Sequence, residues 1–280
     1  MVLESIKINW IEKRPYIALF FGAAYTFIGY AAATLFFKES ISVAMLFLAT
    51  LLLVPSLIKL LEIEEDRESR YGLRHFFTTH KDIIEAYVFL FLGVLIGYVL
   101  LGFLISPESY DSVFLFQNNF LGVREKLSGN LIDAFMEKPL ELSVSYVAGV
   151  VENNITVAVI LFILSFFYGA GAIFLVVLNA SIFASFIVFV IRYLAATPGK
   201  SLALFGFFSV HVVPEVTGFL LAAVAGGVVS KAVLTEKIFS RKFGNVLQDA
   251  LLLLLFACIL IVAAAFLEVY VTTYLFHTYA

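Results

Sequence analysis

Residues 155–195 have the sequence ITVAVILFILSFFYGAGAIFLVVLNASIFASFIVFVIRYLA, an apolar run of about 41 residues with no charged side chain before Arg192. A helix needs roughly 20 apolar residues to cross the hydrocarbon core of a membrane. The run is therefore long enough for two crossings. We expect the turn between them near Gly169–Gly171 or near Asn179–Ser181.

Five other apolar stretches are each long enough for one crossing. The first is too long for the apolar part of a signal peptide, so we expect it to be retained. In the third, Gly93, Gly97 and Gly102 offer a small-residue face for helix packing. The five stretches are Tyr16–Phe37, Ile41–Leu61, Ile83–Ile105, Leu202–Val229 and Ala250–Phe276. The predicted fold is all-α, a polytopic transmembrane helical bundle of about seven spans.

The composition agrees with this fold and excludes several classes of protein. Of the 280 residues, 62% are hydrophobic and 14% charged, and the mean hydropathy is +1.03. Soluble domains are closer to about 45–50% apolar and about 25% charged. With a net charge of −3, the protein has no positive field that would attract polyanions. Its one cysteine, Cys258, cannot form a thiolate metal cluster. An ordinary soluble enzyme, a disordered chain and a nucleic-acid binder are therefore excluded.

The distribution of basic residues predicts the orientation. Cytoplasmic connections carry an excess of Lys and Arg. With seven spans and a cytoplasmic N-terminus, twelve of the 18 basic residues lie inside, and the C-terminus lies outside. These twelve are Lys7, Lys13, Arg14, Lys59, Arg67, Arg70, Arg74, Lys81, Lys231, Lys237, Arg241 and Lys242. A single span over 155–195 would move the basic segment 231–242 outside, so seven spans fit better.

Two connections divide the chain into regions. The inner one, Glu62–Asp82, carries dense charge of both signs and is expected to be a solvated extension of the second helix, with His80 exposed or interfacial. It belongs to an N-terminal three-span region, 1–105. The outer connection, 106–154, is predicted to contain an amphipathic helix that lies on the membrane or against a protein partner. A C-terminal membrane domain, 155–280, follows.

The polar side chains of the segment Ser209–Glu215 are costly inside a bilayer. His211 and Glu215 are four residues apart, which puts them on one helical face. Pro214 lies between them and is disfavoured inside a helix. We therefore expect a broken helix around His211–Glu215, of the kind that forms ligand and ion sites.

Other polar residues fall at a similar predicted depth, in the last span and at the start of the fourth. Histidine, carboxylate and amide donors suit a divalent metal, with zinc favoured, and the same set would serve as a proton relay. The predicted metal ligands are His211, Glu215, Glu268, Asn153 and Glu152. Local alternatives remain for each group. His211 and Glu215 could bond only to each other at a helix start, Glu268 could reach the interface, and Glu152 with Asn153 could flank the membrane edge.

Two parts of the C-terminal half carry a family resemblance. The run from Asn154 through Phe166-Phe167-Tyr168-Gly169-Ala170-Gly171 to Leu178-Asn179-Ala180 resembles the stage II sporulation protein M family. So does His211-Val-Val-Pro-Glu215, followed by the small-residue run Ala222–Gly227. The resemblance covers roughly residues 124–280, and the spaced His and Glu are its most specific part.

This resemblance implies an integral membrane protein of a type found in bacteria and archaea. The sporulation member of the family is a membrane scaffold that brings cell-wall hydrolases to the septum. The three N-terminal spans look like an addition to the family region.

Three functions remain open at this stage. The first is a non-enzymatic scaffold or partner-recruiting protein, a homodimer with an intramembrane metal site and a docking surface at 106–154. The second is a cation or proton transporter or channel that uses the same site. The third is an intramembrane metallohydrolase. The chain has no P-loop, dinucleotide-binding glycine motif, H-E-x-x-H pair or G-x-S-x-G elbow, so an enzyme is the less favoured class.

Overall fold

The computed structural model describes residues 14–71, 76–120, 144–168, 170–189, 191–192 and 198–279. Within these ranges every regular element is helical. The helices are α1 Ile17–Phe36, α2 Ile41–Tyr71, α3 Phe76–Leu104, α4 Pro107–Val113, α5 Leu115–Phe120, α6 Val144–Tyr168, α7 Ala170–Phe189, α8 Pro198–Thr235, α9 Arg241–Phe266 and α10 Thr273–Tyr279. A π-helical segment, Leu267–Thr272, joins α9 to α10 without a turn.

The predicted helical membrane bundle is confirmed. Six helices in the described part of the chain are long and apolar enough to cross a membrane, namely α1, α2, α3, α6, α8 and the α9–α10 rod. A shorter apolar helix, Ile173–Phe189 within α7, lies where the prediction placed the fifth of its seven spans. α6 ends at Tyr168 and α7 begins at Ala170, so the long apolar run divides at the first of the two predicted positions.

Polar contacts show which helix ends lie together. Lys231 near the end of α8 donates to Glu62 on α2, with 2.8 Å between Nζ and Oε1. The Asn245 amide near the start of α9 donates to the carbonyl of Ser69 on α2. The end of α2, the end of α8 and the start of α9 therefore meet at one end of the bundle, called here the charged end.

The segment Glu62–Asp82 at the charged end differs from the prediction. It continues α2 and opens α3, but much of it is not solvated. Glu64, Glu68 and His80 are each at most 1% exposed, and Glu65 and Ser69 are also buried. The prediction of a solvated extension was wrong because α8 and α9 extend far enough to cover this part of α2. Here α2, α8 and α9 are longer than a membrane crossing requires, and their extra length packs these helices against one another.

The opposite end of the bundle is closed by two short helices, α4 and α5. The Gln117 side chain of α5 donates to Ser181 on α7 at 3.1 Å and accepts from Ser42 on α2 at 2.7 Å. Residues 107–120 are thus part of the bundle. The segment 121–143, where the amphipathic helix is predicted, lies outside the described residues. α6 begins at Val144, well before the predicted start at 155.

Glycine sets the closest approach between α1 and α3. A Cβ at Gly93 would collide with the backbone carbonyl of Leu19, and a Cβ at Gly22 would lie 2.7 Å from the carbonyl of Leu90. Gly97 faces Ala23 and Thr26 on α1 in the same way. Gly93 and Gly97 of the predicted glycine face therefore pack against the first span, as small residues do between membrane helices, whereas Gly102 faces Val188 on α7.

We expect Gly93→Ala to destabilise the bundle by about 1–3 kcal/mol, because the obstructing atoms belong to a backbone that cannot rotate away. Gly206→Ala is the matched control, since a Cβ there meets nothing within 4 Å. The control should be neutral or slightly stabilising, because alanine is the better helix former. Thermal unfolding in detergent measures both. Equal melting temperatures for the two variants would contradict this account of the α1–α3 contact.

Candidate metal site

The helix that carries His211 and Glu215 is continuous. α8 runs from Pro198 to Thr235 with Pro214 inside it, so the predicted break around His211–Glu215 was wrong. Proline removes one backbone hydrogen bond from a helix. An unwound segment at membrane depth would leave several backbone groups without partners, each at a cost of several kcal/mol. Keeping the helix intact around a single proline is the cheaper arrangement.

The irregular backbone lies instead in the neighbouring helix. Between α9 and α10, residues Leu267–Thr272 form a π-helical segment. The Glu268 carbonyl accepts from the backbone N–H of Thr273 and, at 2.9 Å, from the Thr273 hydroxyl. Such π segments occur frequently at functional sites, because the extra residue changes the direction of the side chains around it.

Three of the five predicted ligands come together between these two helices. His211 and Glu215 project from α8, and Glu268 projects from the π segment. One ligand atom from each lies within 4.8 Å of the others. His211 is 8% exposed, and the two carboxylates are partly buried. The structure thus brings these three residues of the predicted set together.

Thr272 fixes the orientation of the His211 ring. The Thr272 hydroxyl donates to the carbonyl of Phe207 at 3.2 Å and lies 2.9 Å from Nδ1 of His211. A hydroxyl has one proton, so the same oxygen accepts from Nδ1–H. The lone pair of the neutral ring is then on Nε2. Histidine ligands of metals are commonly held in one tautomer by such a bond from the other ring nitrogen.

Glu152 is not part of this group, and its side chain is exposed on α6. Asn153 is exposed as well, and its amide donates to Asn154 at 3.0 Å. Although these two side chains are not ligands of the group, the start of α6 that carries them lies close to it. Val147 is buried against Ala265 and Val269, so the first turns of α6 lie beside the π segment.

Sequence reasoning missed a second group at the charged end. Ligand atoms of Glu64, Glu68 and His80 all lie within 4.8 Å of one another, and all three residues are buried. The available signal was the spacing of four residues between Glu64 and Glu68, which places both on one helical face. In a segment of mixed charge, that signal is indistinguishable from a solvated face.

A separate apolar cavity lies between α3, α7 and α8. Its lining includes Phe91, Phe183, Phe208 and Val212, with Thr217 at its edge. None of the three clustered residues lines it. This apolar cavity and the His211 group therefore lie on different faces of α8.

Residues 86–273 match the family described as stage II sporulation protein M. This match spans most of the chain and includes His211, Glu215 and Glu268. The chain belongs to the stage II sporulation protein M family. Comparison with curated proteins and with solved structures gives no match. Together, the family and the apolar helices make this a multi-pass integral membrane protein.

The family region begins inside α3, earlier than the resemblance over 124–280 indicated. Of the described helices, α1, α2 and the first residues of α3 precede the matched region. The buried residues Glu64, Glu68 and His80 all lie before it.

We expect Thr272→Val to destabilise the protein by about 1–3 kcal/mol, because the Thr272 hydroxyl bonds the π segment to His211 and to the Phe207 carbonyl of α8, and the variant removes this buried partner. Thr217→Val is the matched control, since the Thr217 hydroxyl bonds only within its own helix, to the Val213 carbonyl. Thermal unfolding in detergent distinguishes them. A control as destabilised as Thr272→Val would show that the bond to His211 contributes nothing specific.

Proposed function

We propose that this protein is a non-enzymatic membrane scaffold, or partner-recruiting protein, in which His211, Glu215 and Glu268 bind a divalent cation. The observation that carries the proposal is the convergence of one imidazole and two carboxylates from two helices. A cation bound there would hold α8 against the π segment. The proposed role of the metal is to fix the arrangement of helices that partners recognise.

The chemistry of the three donors supports a cation. Two carboxylates in such proximity repel each other in a medium of low dielectric constant. A divalent ion removes that repulsion and accepts the Nε2 lone pair that Thr272 leaves available. Imidazole nitrogen with carboxylate oxygen is a suitable donor set for zinc, which is the favoured ion.

Two observations favour a scaffold over catalysis. Zinc sites that activate water usually include two or three histidines, or cysteines, and this group has one histidine. A hydrolase also needs space for substrate beside the metal. The apolar cavity described above opens on a different face of α8.

The interior of the α8–α9 contact favours a scaffold over transport. After Asp249, every buried side chain of α9 as far as the π segment is apolar. These are Ala250, Leu253, Ala257, Ile261, Ala264 and Ala265. The buried residues of α8 from Val216 to Val229 are apolar or glycine. An ion or proton path normally requires polar groups along its length.

The proposed partners are the lipid bilayer, a second copy of the chain and a protein that docks at 106–154. One feature of α6 supports the homodimer. Gly149, Glu152, Asn153 and Thr156 are exposed on one face of α6, at spacings of three or four residues. Polar groups on a membrane helix are costly against lipid and are favoured between helices. A second copy would cover this face.

Metal content tests the proposed site. In detergent-purified protein this site should hold about one zinc per chain, measured by mass spectrometry as the difference between the wild type and variants of its ligands, since a structural ion bound by deprotonated ligands resists purification. His211→Ala and Glu215→Gln should each lose it. A chelator should lower the melting temperature of the wild type by more than that of these variants, because a ligand bound only to the folded state stabilises it.

Thr217→Val is the control for these variants and should retain the metal. A wild type that binds no divalent metal, with a melting temperature indifferent to chelation, would eliminate the metal site. Cation or proton flux in proteoliposomes that disappears with Glu215→Gln would replace the scaffold with a transporter.

We propose further that the N-terminus is cytoplasmic and the C-terminus is outside. Lys38, in the turn between α1 and α2, and Lys237, at the charged end, are exposed at opposite ends of the bundle. In a Cys258→Ser background, Lys38→Cys should react with an impermeant maleimide in intact cells. Lys237→Cys should react only after permeabilisation, because the more basic end faces the cytoplasm. The reverse pattern would invert the proposed topology.

A further inference from the structure

Four ionisable residues from three helices meet inside the charged end. Glu64 and Glu68 belong to α2, His80 belongs to α3, and Asp249 belongs to α9. All four are at most 1% exposed. Charged side chains are almost never buried to this extent unless they are paired or coordinate a metal.

The positions of these side chains are closely defined. Nδ1 of His80 lies 2.7 Å from Oε1 of Glu64 and 3.3 Å from Oε1 of Glu68. Ligand atoms of these three residues lie within 4.8 Å of one another. Asp249 lies outside the group of ligand atoms within 4.8 Å of one another, but it is buried and near enough to interact electrostatically with His80, Glu64 and Glu68.

Two of the carboxylates lack hydrogen-bond donors. Both oxygens of Glu68 and both oxygens of Asp249 are buried and accept no hydrogen bond from any residue that the structure describes. A buried carboxylate without donors is strongly unfavourable. One imidazole, even when protonated, cannot balance three carboxylates.

Several basic residues of the charged end are engaged with other acids. Arg67 pairs with Asp82 at 3.1 Å, Lys231 pairs with Glu62 at 2.8 Å, and Lys242 pairs with Glu236 at 3.1 Å. These pairs satisfy acids outside the cluster. Arg67 also interacts electrostatically with Glu64, and a proton or a bound cation would supply further compensating charge inside the cluster.

We propose that Glu64, Glu68, His80 and Asp249 form a second divalent-cation site, at the charged end of the bundle. One imidazole and three carboxylates suit Zn²⁺ or Mn²⁺, since imidazole favours the former and carboxylates favour the latter. The ion would lie among the ligand atoms of Glu64, Glu68 and His80, with Asp249 as the fourth ligand. It links α2 and the start of α3, which precede the family region, to α9 within that region.

A Zn²⁺ titration of chelator-stripped, detergent-purified full-length protein tests this site independently of the His211 site. The wild type should bind about two ions per chain, and His211→Ala/Glu215→Gln should still bind about one. Glu68→Gln/Asp249→Asn should lose one ion relative to the wild type. If the His211 site does not exist, the wild type binds about one ion, and only the cluster variant loses it.

Asp66→Asn is the matched control, because Asp66 is an exposed acid of α2 that pairs with Arg70. It should bind as much Zn²⁺ as the wild type. Melting temperatures test the site in a second way. Zn²⁺ should raise the melting temperature of His211→Ala/Glu215→Gln by several degrees. Without metal, Glu68→Gln/Asp249→Asn should melt at the same temperature as the metal-free wild type or higher, since it has lost the repulsion between buried carboxylates.

Two results would overturn the site. One is a monodisperse His211→Ala/Glu215→Gln protein that binds no Zn²⁺ and no Mn²⁺. The other is a Glu68→Gln/Asp249→Asn protein that binds as many ions as the wild type. In either case, the cluster is compensated by protons shared among its carboxylates.

Discussion

The close packing of α8 against α9 is the contact on which the rest of the bundle depends. α8 is the most buried of the long apolar helices. Glycine allows this proximity. A Cβ at Gly218 would lie 2.8 Å from a side-chain carbon of Ile261, and a Cβ at Gly226 would collide with the carbonyl of Phe162 on α6. In a membrane, where lipid is as apolar as the protein interior, such close van der Waals packing is a principal source of helix association.

The two polar clusters lie at either end of this packed contact. The His211 group lies where the π segment changes the path of the last helix, and the Glu64 group lies where α2 covers the start of α9. Between them, α8 and α9 exclude water. Each cluster is therefore isolated from the other, and the polar groups of one cannot compensate the charge of the other. This separation explains why each must be neutralised locally.

The sequence predicts the spans well because the length of an apolar run is a local property with a direct physical meaning in a bilayer. The helical spacing of His211 and Glu215 is equally local, and Glu268 could be assigned to the same depth by counting residues along spans. The apolar run at 155–195 divides where small residues interrupt it. These predictions needed no knowledge of which helices are neighbours.

Predictions that depended on neighbours were less successful. Glu64 and Glu68 look solvated in sequence because nothing local indicates that α8 and α9 extend to cover them. The prediction of a break at Pro214 gave too much weight to one missing N–H, since unwinding several residues in lipid costs more free energy than losing one hydrogen bond. The π segment has no comparable sequence signal, and its position is known only from the path of the last helix.

That π segment also makes the last helix sensitive to chain length. In an α-helix, each added residue turns everything beyond it by about 100°. A π segment contains one residue more than an α-helix needs, so deleting a single residue from Leu267–Thr272 would restore regular winding without breaking the rod. The rod would still span the membrane in the same orientation, but the side chains within the segment would change direction, and Glu268 and Thr272 would lose their present positions relative to His211. A change invisible to hydropathy would thereby dismantle the His211 group.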